Sequence, residues 1–206
     1  MIPTLRFAVR FDRVRLLLAT AALVQLSIGA ATTDAAAAQA PKEARRAAAA
    51  RPITAASCLP HGGGYLRARI AGAIDAHIDW PNSGTACAGE RKYHPAGVRM
   101  SFRRTRASKL NLLFLFGLTG VKEGKALRAG RANLTIIDEG SGRVFGTLGD
   151  GRCTIDSLTQ RRLGAAHLYR VEVRGFCTQP ARAVRGDGDV LVSRFDFAGG
   201  VDYAHD

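Results

Sequence analysis

No signature of catalytic chemistry appears in the 206 residues. There is no G-x-S-x-G elbow, no H-E-x-x-H pair, no phosphate-binding P-loop and no G-x-G-x-x-G turn. These absences remove the recognisable forms of serine hydrolase, zinc protease, nucleotide hydrolase and dinucleotide enzyme. Cysteine is scarce, with only Cys58, Cys87, Cys153 and Cys177, and no C-x-x-C occurs. Spacings of 29, 66 and 24 residues fit no zinc-ribbon pattern, so a redox or metal-thiolate centre has no support. No apolar run reaches the ~18–20 residues that cross a bilayer. Internal repeats and convincing amphipathic helices are missing too. Lysine is sparse against arginine, and acidic residues number 17 against 30 basic ones, a net charge of +13.

The first forty residues are of a different kind from the rest. Arg6, Arg10, Arg13 and Arg15 precede an apolar run from Leu16 to Ala31, and small residues follow. This order is that of a secretory signal peptide over 1–40, cleavable after Ala31 or after Ala38. The short apolar core disfavours an uncleaved anchor. "AASC" at Ala55 to Cys58 lies too far beyond it to be a lipidation site. Residues 41–57 are rich in Ala and Arg and poor in large apolar side chains, which reads as a linker. Residues 58–206 then form a single domain, long enough for one core. Setting aside four Arg and two Asp in 1–40, and three Arg, one Lys and one Glu in 41–57, the domain keeps +8. Arginine and alanine excess also follows from GC-rich coding. The charge alone therefore points only weakly to anionic partners such as envelope polysaccharide.

An exported chain meets an oxidising compartment, where an even cysteine count means disulfides. The favoured pairs are Cys58–Cys87 and Cys153–Cys177, each flanking one block of strand. Loops of this length contribute about 3–4 kcal/mol per bridge by chain entropy.

Period-2 alternation dominates the domain. In "YLRARIAGAIDAHIDW" the even positions from Leu66 to Trp80 are apolar or small, which predicts one long strand bent at Gly72. "PNSG" at Pro81 to Gly84 is a turn. "GVRMSFRR" puts Val98, Met100 and Phe102 inward and Arg99, Ser101 and Arg103 outward. "LNLLFLFGL" is apolar on both faces, as a covered central strand would be. "ANLTIIDEGSGRVFGTL" reads as a hairpin around Glu139 to Gly142. "CTIDSL", "HLYRVEVRGFC" and "DVLVSRFDFAG" supply further strands. "TIDSLTQRRLGAAHL" has room for a short helix. The expectation is an all-β antiparallel sandwich or partly closed barrel of about 7–9 strands with at most one short helix.

Three segments carry a resemblance. "CAGER" at Cys87 to Arg91, "NLTIIDE" at Asn133 to Glu139 followed by Cys153, and "GFC" at Gly175 to Cys177 resemble segments of an uncharacterised group of exported bacterial proteins. The group's last motif has two residues between Gly and Cys, whereas here Phe176 stands alone. The resemblance spans Cys58 to Phe197. It implies export and a disulfide-braced β domain, and no activity.

Three candidate sites remain. Asp75, His77 and Asp79 share one face of the expected strand, each step about 6–7 Å, a spacing at which two of them plus a cross-strand partner could hold a metal. Asp187 and Asp189 in "RGDGDV" offer calcium-type oxygens but too few, and read as a turn. Arg67, Arg69, Arg99, Arg103, Arg170 and Arg174 occupy polar strand faces and, on one sheet, would form a platform for carboxylate or phosphate. The leading expectation is a periplasmic or secreted, non-enzymatic binding or structural module of the bacterial envelope. It would need no cofactor and would meet an anionic envelope polymer or another envelope protein. No specific nucleic acid is expected, and membrane contact comes only through the signal segment during export. A metal-dependent or cryptic hydrolase is the alternative.

Overall fold

The computed structural model describes residues 57–106, 109–149, 151–164 and 166–204. The signal segment and all but the last residue of the linker lie outside the described residues.

The described chain is all-β. It comprises β1 (Tyr65–Gly72), β2 (Ala76–Pro81), β3 (Thr85–Lys92), β4 (Gly97–Arg104), β5 (Leu112–Thr119), β6 (Gly130–Asp138), β7 (Arg143–Gly146), β8 (Cys153–Arg162), β9 (Leu168–Cys177), β10 (Ala181–Ala183) and β11 (Asp189–Asp202). Neighbours in sequence pair antiparallel from β3 through β6. At β6 the ladder forks. Its first residues pair with β8, its last with β7. β11 receives both branches, β9 along Phe195–Asp202 and β10 at Asp189–Val190. The end of β11 then meets β3 in a parallel step, Asp202 opposite Glu90. A circuit of seven strands thus closes into a barrel, with the other strands added to it. Closure leaves few unpaired edges to recruit other chains.

Two expectations need correction. The long strand over Tyr65 to Trp80 is a hairpin, with Leu66 opposite Trp80 and Ile70 opposite Ala76. Gly72 turns the chain with φ of +119°, and a Cβ there would lie 2.5 Å from the carbonyl oxygen of Asp189. Only glycine fits both conditions. The short helix near Thr154 to Leu168 is also absent among the described residues: β8 runs on to Arg162, and β9 begins at Leu168. The split into β1 and β2, together with β3 and the short β10, raises the strand count to eleven. The hairpin around Glu139 to Gly142 forms as expected, as β6 and β7.

Phenylalanines fill the barrel. Phe102, Phe114, Phe116, Phe145, Phe195 and Phe197 are fully buried. Phe116 stands 4.5 Å from Phe197 and 5.2 Å from Phe195, centroid to centroid, and Trp80 meets Phe114 edge-on at 5.5 Å. Such ring pairs add about 0.5–1.5 kcal/mol each beyond their burial. With the interior so occupied, the outer wall is where a ligand can be met. β5 is paired on both sides, but Leu113 and Leu115 on its outer face are only half-buried.

Both disulfides form as expected, Cys58–Cys87 and Cys153–Cys177. The second joins residues directly opposite each other on β8 and β9. Two bridges are consistent with an oxidising compartment.

Candidate anion-binding groove

The outer wall across β2, β1, β11 and β9 carries most of the polar groups of interest, and a bulge decides which ones. On β11, Val190 and Val192 point into the barrel, and so do Phe195 and Phe197. The two pairs are out of phase, so one extra residue must lie between them. The register shows it: Arg69 pairs with Arg194, and the next residue, Ile70, with Val192. Ser193 is the extra residue, and Ser193 and Arg194 are both exposed. A bulge of this kind redirects side chains without breaking the sheet.

Two rows of side chains then cross the strands side by side. The first reads Asp79, Arg67, Asp196, Arg174, one residue per strand. Its charges alternate in sign. Arg67 Nε lies 3.4 Å from Asp79 Oδ1 and Arg174 Nε 3.6 Å from Asp196 Oδ2. Tyr65 reinforces this row by donating its hydroxyl to Asp196 Oδ1 at 2.7 Å. Burial, then the hydrogen bond and charge of Asp196, push the Tyr65 phenol well above its ordinary value. Nearby, Arg170 Nη1 donates to Glu172 Oε2 at 2.7 Å, and this bond holds the Glu172 carboxyl below its ordinary value. Arg170 also donates twice to the carbonyl of Gly63.

The second row reads His77, Arg69, Arg194. It holds no carboxylate. Arg69 and Arg194 are exposed and stand directly opposite each other, and neither makes an ion pair among the described residues. Like charges facing across a ladder destabilise it. The row borders a groove of about 570 Å³ lined by Arg67, Arg69, His77, Ser193, Arg194 and Asp196. Three guanidinium groups against one carboxylate, itself engaged by Tyr65 and Arg174, suit an incoming oxyanion.

The six arginines expected to form a platform divide between two walls. Arg67, Arg69, Arg170 and Arg174 share the outer face just described. Arg99 and Arg103 are on β4, and β3 intervenes between β4 and β11. Carboxylates neutralise both, Glu90 at 3.5 Å and Glu139 at 2.9 Å. Of the six, Arg69 alone lacks an ion pair among the described residues.

The Asp75, His77 and Asp79 set does not assemble as a metal centre. Asp75 falls in the β1–β2 turn, where its carboxylate accepts from the Gly72 amide at 3.3 Å, and Asp79 is held by Arg67. No group of three or more His, Cys, Asp or Glu able to hold an ion occurs among the described residues. Asp187 and Asp189 serve the fold as a turn. The Asp187 carbonyl accepts from Arg143, and the Asp189 carbonyl accepts from the Ala73 amide.

Ser193 and Arg194 are the groove residues that the alternation pattern missed. The signal was available: two inward pairs, V-x-V and F-x-F, separated by two residues instead of one. Among known proteins, no family model, no curated protein and no solved structure matches the chain.

Proposed function

We propose that the protein is an exported, non-enzymatic binding module of the bacterial envelope, periplasmic or secreted, that holds an anionic polymer in the groove over β1 and β11. One observation carries this reading: Arg69 faces Arg194 beside His77 with no carboxylate in the row. Opposed, unpaired guanidinium groups repel each other, and a bound anion would relieve that repulsion. The basic balance of the domain, its two disulfides and the signal-like first forty residues agree with it. The resemblance to exported β-domain proteins does so as well.

Polyphosphate titrated by calorimetry tests the reading. Affinity should fall steeply as salt rises, because binding releases counterions. The double variant Arg69→Ala/Arg194→Ala should bind at least about tenfold more weakly, a charged hydrogen bond being worth about 1.5–3 kcal/mol. Arg99→Ala, on the other wall, should bind as the parent does. Equal affinity of parent and double variant, or binding indifferent to salt, would remove the groove from the account.

A further inference from the structure

The row of His77, Arg69 and Arg194 does not end at β11. Phe195 pairs with Gly175, so the next position on each strand sets Arg194 beside Phe176 of β9. Phe176 points outward and is 37% exposed, one of four exposed large apolar side chains among the described residues. A second groove of about 440 Å³ opens there, lined by Asp156, Ser157, Arg174, Phe176, Ser193 and Arg194. It shares Ser193 and Arg194 with the first groove, so the two are continuous along the row. A second bulge, between Ile155 and Ser157 of β8, makes Asp156 the extra residue of that strand at this groove. Both bulges of the wall therefore feed one surface with hydroxyls and a carboxylate, next to an aromatic face and an unneutralised arginine pair.

We infer that this surface is a saccharide site for a uronic-acid polymer, with the sugar carboxylate on Arg69 and Arg194 and the apolar face of a sugar ring on Phe176. The inference rests on the anion-binding reading of the first groove and adds the ligand class. A sugar ring presents C–H groups on one face and hydroxyls around its rim. An exposed aromatic ring matches the first, and hydroxyl and carboxylate acceptors such as Ser157, Ser193 and Asp156 match the second. The planar guanidinium fork is the natural partner of a carboxylate. From β2 to β9 the row spans about 15 Å, room for a short stretch of chain. Single-stranded nucleic acid fits less well. It is held by several stacking aromatics along a uniformly positive track, whereas here the groove holds one phenylalanine, with the Asp156 carboxylate beside it as an acceptor for a sugar hydroxyl.

The test compares oligogalacturonate, a neutral oligosaccharide of the same length, polyphosphate and oligothymidylate on the disulfide-bonded protein. Oligogalacturonate should bind more tightly than polyphosphate of equal charge, and the neutral sugar not measurably. Phe176→Ala should weaken oligogalacturonate about tenfold and leave polyphosphate unchanged, while Phe176→Tyr, which keeps the ring, should retain binding. Circular dichroism of each variant checks the fold, and the exposure of Phe176 leads us to expect no change. Undiminished uronate binding by Phe176→Ala overturns the saccharide inference, as does tighter binding of oligothymidylate. If polyphosphate binds through Arg69 and Arg194 but uronate gains nothing, the saccharide inference falls and the anion reading stands. If neither binds, both fall.

Discussion

Tyr203 follows the last strand and packs edge-on against Tyr169, ring centroids 5.7 Å apart. Its hydroxyl donates to Gln160 Oε1 at 2.8 Å, while Gln160 Nε2 donates to the carbonyls of Lys122 and Lys125. The phenol thus anchors the loop between β5 and β6. Burial pushes its pKa from 10.0 up to about 12. The folded state therefore keeps this proton over a range where the unfolded chain has lost it. Its stabilising contribution is complete below pH 10 and is lost as pH rises towards about 12. Tyr203→Phe should flatten the decline of the urea midpoint across that range, and an unchanged slope would assign the decline to other groups. At this scale the sequence was informative about direction and silent about partners. Alternation on β4 correctly sent Val98, Met100 and Phe102 inward and Arg99 and Arg103 outward. It could not show that Glu90 and Glu139 neutralise those arginines, because Glu139 is brought to Arg103 by the pairing of distant strands.

The bulge in β11 is an element-scale device, since one residue sets the facing of a whole strand. Deleting Ser193 would remove the extra residue and leave Val190, Val192, Phe195 and Phe197 in strict alternation, all still facing the barrel. We expect the deletion variant to unfold cooperatively with a regular β1–β11 ladder, and Ser193→Ala, which keeps the bulge, to stay within about 1 kcal/mol of the parent. Loss of cooperative unfolding in the deletion variant would mean that the barrel requires the bulge itself and not only the inward facing of the two pairs. Periodicity misread two elements for definite reasons. In the β1–β2 hairpin, inward residues pair as Leu66 with Trp80 and Ala68 with Ile78, all even-numbered. The turn preserves parity, so the alternation runs through it without a visible break. In β8, the bulge puts the buried Ile155 and Leu158 three residues apart, the spacing of a helical face. The β8 bulge therefore hid itself in the pattern, and the groove it helps to build was hidden with it.

For the whole molecule, short strands and Gly-rich turns were enough to indicate an all-β domain and its cysteine pairing. Closure was not legible, because it depends on contacts between β3 and β11 and between β6 and β8, which no local pattern encodes. Removing a bridge should cost the folded barrel stability. Cys153→Ser/Cys177→Ser is expected to lose about 3 kcal/mol in urea unfolding, the chain entropy of a 24-residue closure. A variant as stable as the parent would mean that the β8–β9 ladder alone confines the unfolded chain. The other bridge has a mechanical consequence. Cys58 lies seven residues before β1 and is bonded to β3 at Cys87. A pull applied from the N-terminal side reaches β3 through a covalent bond before it reaches the hydrogen bonds of β1. The force enters the closed barrel across the Cys87 junction, and the strand that carries Arg69 is shielded from being peeled away.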